Sequence, residues 1–244
     1  MDWPKTLLTQ NSEMRKEGIW NWTLPAWWVE IPDDAYPDGT RMFNCCPMAG
    51  ECAKVCYARN GTYLFPNVIG RHTKNLLYVL KNLFGWRAQM AAELGLPRFA
   101  EGGKVRIHDA GDFFSDEYLQ AWLSLAREFP HILFYCYTKE VSRFRRLVEG
   151  KAPPNFKWVY SLGGREDHLL NKETERHADV FPDEATIAAA GYSSQSASDL
   201  LAVLGPPKVG IPANNIPHFK RRQGDRTFGR MQSDRDAGRA PRAD

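Results

Sequence analysis

The cysteines carry the chemistry most open to a reading of the sequence. Four of the five, Cys45, Cys46, Cys52 and Cys56, fall within twelve residues. The run Cys46-Pro-Met-Ala-Gly-Glu-Cys52-Ala-Lys-Val-Cys56-Tyr57 sets three thiols at x5 and x3 spacing on one turn-rich loop. Thiolates are soft ligands suited to iron–sulfur clusters or zinc. A structural zinc site takes four ligands, and two adjacent residues rarely aim at one ion, so Cys45 is a poor fourth donor. Three thiolates are the complement of a [4Fe–4S] cluster whose remaining iron is open. Cys46, Cys52 and Cys56 are therefore the expected metal ligands, with Cys45 and the isolated Cys136 as further candidates and zinc as the alternative metal. Buried cysteines holding no metal are the plain structural alternative. An odd count crowded into one loop makes a poor disulfide framework and points to a reducing compartment.

A second group is His108-Asp109-Ala110-Gly111-Asp112, expected at the C-terminal end of a strand. Ligands bind at that edge in parallel α/β folds. Gly111 would admit close backbone approach, and Asp109 or, in preference, Asp112 would take an ammonium or ribose hydroxyls. Capping of the next helix is the competing role for such an aspartate. Tyr137-Thr138-Lys139 and Ser161-Leu162-Gly163-Gly164-Arg165 end two further strands. Tyr137, Lys139, Ser161, Gly163 and Arg165, with His108, would bring hydroxyls, cations and a glycine turn to one mouth suited to an anion. The sequence holds no nucleophile elbow, GKS/T loop or HExxH, which argues against an ordinary hydrolase or a P-loop NTPase.

The elements that must position these residues follow from periodicity. Residues 39–44 read as a short strand feeding the cysteine loop, and Arg71 to Leu94 as one long helix closed by Gly95 and Pro97. Lys104 to His108 is a strand, and Ser115 caps a helix whose apolar face holds Tyr118, Leu119, Trp122 and Leu125. His131 to Thr138 is an aromatic strand, followed by a helix over 140–149, a strand over 156–162, a further strand over 178–181 and a helix over 183–190. Strands alternating with helices predict βαβ units and a parallel sheet of four or five strands. That number suits a partial (β/α) barrel or an open parallel sheet.

The expected organisation is an aromatic, proline-rich N-terminal extension over 1–38, an α/β domain over 39–206 and a basic, flexible tail over 207–244. Trp20, Trp22, Trp27 and Trp28 of the extension read as an irregular lid, with stacking of bases or a sugar as the sharper possibility. The tail holds nine Lys/Arg against four Asp, a net +5 in a chain of net +3. It is expected to be a solvated segment or an arm for nucleic-acid phosphates. With 43% hydrophobic and 25% charged residues in 244, the chain is neither disordered nor fibrous. No apolar run reaches the roughly 18 residues of a membrane helix and no secretory signal opens the chain, so a cytoplasmic location is expected.

The cysteine triplet with its βα context resembles the radical S-adenosylmethionine enzymes. Residues 40–200, above all Arg106-Ile-His-Asp-Ala-Gly-Asp-Phe-Phe114 and Phe134-Tyr-Cys-Tyr-Thr-Lys139, are similar to an uncharacterised bacteriophage protein family, which would place the protein in a host cytoplasm. The spacing departs from the C-x3-C-x2-C of the radical enzymes. The first resemblance implies that Cys46, Cys52 and Cys56 hold three irons and that S-adenosylmethionine chelates the fourth. One electron would then release a 5′-deoxyadenosyl radical that acts on a nucleotide, a nucleic acid or a small metabolite. It further implies that Tyr57 packs near the adenine and that the 108–112 loop contacts the cofactor's amino group. A non-catalytic protein, stapled by zinc or a cluster and binding nucleic acid or a host protein, is the alternative.

Overall fold

The computed structural model describes residues 3–238. Its strands are β1 (Ile19–Trp22), β2 (Trp28–Pro32), β3 (Thr40–Asn44), β4 (Gly103–Ile107), β5 (Ile132–Thr138), β6 (Phe156–Ser161), β7 (His177–Phe181), β8 (Ser193–Ser194) and β9 (Lys208–Pro212). Its α-helices are α1 (Ser12–Lys16), α2 (Pro66–Lys81), α3 (Leu83–Leu94), α4 (Asp116–Glu128), α5 (Val141–Leu147), α6 (Glu184–Ala189), α7 (Leu201–Leu204), α8 (Pro217–Gln223) and α9 (Phe228–Ala237). Seven strands form a parallel sheet in the order β1-β4-β5-β6-β7-β9-β8, while β2 and β3 pair antiparallel as a separate ribbon. The α/β class and the parallel sheet expected from the alternation are present. The sheet is larger than the four or five strands expected, because β1, β8 and β9 join it. None of the helices among the described residues is long and apolar enough to cross a membrane.

The chain divides into two compact units, neither continuous in sequence. The first takes the chain up to Pro47, Ala58–Tyr137 and Arg143–Trp158; the second takes Met48–Tyr57, Thr138–Ser142 and everything from Val159. This division cuts across an extension, a central domain and a tail.

In the first unit the core is aromatic. Trp86 packs edge-on against Tyr118 and Trp122 and tilted against Trp22, and all four side chains are fully buried. Trp22 lies in β1, which pairs with β4 in register Trp22↔Ile107, so the N-terminal segment supplies an edge strand rather than an irregular lid. The expected single helix over 71–94 is two helices, broken at Asn82, whose backbone leaves the helical region (φ −154°, ψ 65°). Its side-chain oxygen accepts the Gly85 N–H at 2.9 Å and so caps α3. Ser115 caps α4 as the sequence suggests, accepting the Tyr118 N–H at 3.2 Å.

In the second unit the segment read as a flexible tail is built into the fold. Residues 208–237 form β9, α8 and α9, and Gly229, Met231 and Gln232 of α9 are buried. The Gly229 N–H donates to the buried Asp179 of β7 at 2.9 Å. Net charge concealed this: the apolar content after Phe219 is low, but a single buried face suffices to dock α9. Arg239, Arg242 and Asp244 lie outside the described residues.

Candidate functional site

Burial sorts the cysteines three against two. Cys45 and Cys136 are buried, whereas Cys46, Cys52 and Cys56 are half-buried. Desolvation pushes the thiols of Cys45 and Cys136 well above the usual range, which keeps them protonated and inert. Cys136 faces the Lys157 carbonyl across the sheet at 3.9 Å. The three thiols set apart by spacing are thus also the three that are not fully buried.

In the first unit, Cys46 sits one residue beyond the chain's anchor on the strand ends. The Asp112 N–H donates to the Cys45 carbonyl at 2.8 Å, and the Trp27 N–H donates to Cys46 Sγ at 3.4 Å. Trp27 holds a left-handed φ of 57° to do so, a strained conformation for a bulky residue. The 108–112 loop follows β4 and is stitched to the segment after β1: His108 N–H donates to Trp22 O, and Leu24 N–H to Ala110 O. Gly111, at φ 87°, has no room for a Cβ, which would lie 2.7 Å from Leu24 Cβ. The glycine therefore serves chain packing.

Asp112 is buried, and its Oδ1 accepts the Phe113 N–H at 2.8 Å. Asp109 lies 3.7 Å from Arg106 and accepts the Tyr63 hydroxyl, and Arg106 stacks over the Tyr137 ring at 4.9 Å. His108 is drawn into the core, its Nε2 2.8 Å from the Tyr118 hydroxyl. Burial pushes its pKa down to about 3, so it is a neutral core imidazole and not a cation at a mouth. Its backbone, at φ 68°, is left-handed.

In the second unit the cysteine loop is clamped to the turn after β6 by main-chain bonds. The N–H groups of Gly50 and Cys52 both donate to Gly163 O at 3.1 Å, and the Arg165 N–H donates to Met48 O at 2.9 Å. Arg165 Nε adds a bond to Ala49 O at 3.1 Å, and Glu140 Oε1 accepts the Met48 N–H at 3.1 Å. From α9, Gln232 Oε1 accepts the Glu51 N–H at 2.9 Å, and a Cβ on Gly50 would strike that oxygen. Tyr57 is half-buried in the turn that follows Cys56.

The glycine turn itself is engaged internally. Gly163 and Gly164 donate to the Asp167 carboxylate at 2.7 and 2.9 Å. Burial raises Asp167 to about 6, against the opposing pull of the Gly163 N–H, Lys139 and the Gly164 N–H. Lys139 Nζ donates to Ser161 O and Oγ at 3.0 and 2.7 Å, tying the ends of β5 and β6 together. Of the residues expected at an anion site, Lys139, Ser161, Gly163 and Arg165 thus meet in the second unit and hold one another and the loop. Sequence reading missed Glu140, Asp167 and Gln232, and named Trp27 for a lid or stacking but not for its bond to Cys46. Only Asp167 left a signal, a carboxylate three residues after a Gly-Gly turn.

Thiolates are soft donors by type, and the three half-buried ones are Cys46 in the first unit and Cys52 and Cys56 in the second. Among the described residues no group of three or more His, Cys, Asp or Glu side chains is placed to hold a metal ion. That observation bears on a single ion, whose donors share one coordination sphere. The thiolates of a cluster each bind an iron of their own.

Fold and site together define an α/β protein with a parallel sheet whose strand ends carry a clamped cysteine loop. The family described as gene product 88 matches residues 5–242. The chain belongs to that family, as its resemblance to a phage family led one to expect. No curated protein and no solved structure is significantly similar to the chain.

Proposed function

We propose that the protein is an iron–sulfur protein of radical-S-adenosylmethionine-like architecture, with Cys46, Cys52 and Cys56 as cluster ligands. The observation that carries this reading is the three-against-two burial of the cysteines, on a loop whose backbone is pinned to the turn after β6. Strand order adds support. β4, β5, β6 and β7 are neighbours in chain order, and right-handed crossovers repeated in one direction are the winding of a barrel-like sheet. When bound, a cluster with an open iron supplies one-electron reductive chemistry to a chelated sulfonium cofactor. The chain's own residues set the loop: Gly163 O and Arg165 fix its backbone, and Trp27 supplies an N–H to Cys46 Sγ, which favours the thiolate.

Anaerobic purification with iron and sulfide analysis, followed by EPR of the reduced protein, tests the reading. The expected result is about four irons per chain and a signal that shifts on adding S-adenosylmethionine. Cys46→Ala, Cys52→Ala and Cys56→Ala lose the iron, whereas Cys136→Ala keeps it. Stoichiometric zinc without iron overturns the proposal, and a cluster indifferent to S-adenosylmethionine removes that cofactor from it.

A second reading, a non-catalytic nucleic-acid-binding protein, is favoured by one observation. Lys220, Arg221 and Arg222 are consecutive, exposed and on one short helix, α8.

A further inference from the structure

The first unit contains a cavity of about 200 Å³ whose lining holds no thiol. Trp28 of β2, Arg59, Tyr63 and Leu64 line it together with Ile69 and His72 of α2. Trp28, Leu64 and Ile69 are 47%, 54% and 42% exposed. Large apolar side chains gathered at one cavity mark a binding surface more often than bare solvent-facing surface. Its lining includes one guanidinium and no carboxylate, and the nearby Asp109 is engaged by the Tyr63 hydroxyl.

The walls are pre-set. The Arg59 guanidinium lies over the Trp27 ring at 4.8 Å, which holds it in place. The Tyr63 hydroxyl donates to Asp109, and its ring lies 6.0 Å from that of His72. Desolvation lowers His72 below its usual range, leaving a neutral imidazole that both donates and accepts. The volume exceeds the ~150 Å³ that admits benzene and falls short of the roughly 300 Å³ at which drug-sized pockets begin. One ring system fits, and an attached anionic group would extend past the rim.

We propose that this cavity binds a nucleoside monophosphate unit, its base among Trp28, Leu64 and Ile69 and its phosphate at Arg59. Aromatic walls accept any base by its π-face, and a fixed guanidinium is the matching partner for a phosphate. The unit can arrive as a free nucleotide or within a single strand. The inference is independent of the cluster reading, because no thiol lines the cavity.

Calorimetric titration of the full chain, repeated after chelation, with AMP, adenosine and inorganic phosphate tests it. Expected are saturable AMP binding, adenosine weaker by about tenfold for the lost charged contact, and no measurable phosphate binding. Arg59→Gln brings AMP to the affinity of adenosine and leaves adenosine unchanged. Trp28→Ala weakens both by roughly tenfold, and Trp28→Phe restores most of the loss. A tetranucleotide that binds more tightly than AMP identifies a strand as the source, and equal affinity identifies the free nucleotide. The proposal is overturned if AMP fails to saturate, or if Trp28→Ala and Arg59→Gln, with unchanged circular dichroism, bind AMP like the parent chain.

Discussion

Asp167 shows how one carboxylate can hold a glycine turn at a price in pH tolerance. It receives two glycine N–H bonds, yet burial outweighs them and raises its pKa from 3.8 to about 6. Between about pH 4 and pH 6 the folded chain keeps a proton that the unfolded chain has released. Its contribution therefore falls as pH rises through that window and is constant above it. Burial raises Asp179 in the same direction, so only the difference from a variant isolates Asp167. Relative to Asp167→Asn, the parent chain should lose on the order of 3 kcal/mol of unfolding free energy across the window. Urea midpoints measured at several pH values check this, and parallel curves for the two proteins would refute it. At this scale the sequence was legible where spacing spoke. The cysteine triplet stands out by count and interval, and burial sorts it as spacing did. His108 was misleading because a strand-end histidine looks the same in sequence whether it faces solvent or a tyrosine in the core. Glu140 and Gln232 left no trace, since each acts through a partner that lies far away in sequence.

Helices and strands were legible in proportion to their length and amphipathicity. α4 and β5 are long, regular and capped or aromatic in the expected way; α4 begins at its expected cap, and β5 lies within a residue of its expected bounds. β1 was missed because four residues carrying two tryptophans are too short for a periodic signal, and its pairing with β4 bridges some eighty residues of chain. The α2–α3 break was missed because the apolar stripe continues past Asn82 without interruption. What ends α2 is a local contest. The Asn82 amide prefers the Gly85 N–H to a helical conformation, and Gly85 makes room for it, since a Cβ there would lie 2.4 Å from the Asn82 side chain. Asn82→Ala should cost about 1 kcal/mol through the lost cap, read as a lower midpoint in chemical unfolding. A gain in stability would mean that the chain prefers one continuous helix and that Asn82 does not set the break.

For the molecule as a whole, the class and the parallel sheet were within reach of composition and alternation. The boundaries were not, because contacts between sequence-distant segments define the two units. The basic C-terminal region was read by its charge, yet α9 is part of the packed structure, so truncation at residue 220 would remove a structural element along with the cations. Charge substitution is the cleaner test of nucleic-acid binding. Replacing Lys220, Arg221 and Arg222 by Gln should reduce the slope of log affinity against log salt on unrelated duplex DNA by up to about 3. An unchanged slope would remove α8 from any such interface.

The clamp on the cysteine loop also has a consequence for biosynthesis. Glu51 and the Gln232 that receives its N–H are separated by 181 residues. At roughly 5–20 residues per second of translation, the loop leaves the ribosome about 10–40 s before its last anchor is made. During that interval its thiols are nascent-chain thiols, open to metal donors, oxidants and chaperones alike. The loop's chemistry is thus exposed before its fold is complete.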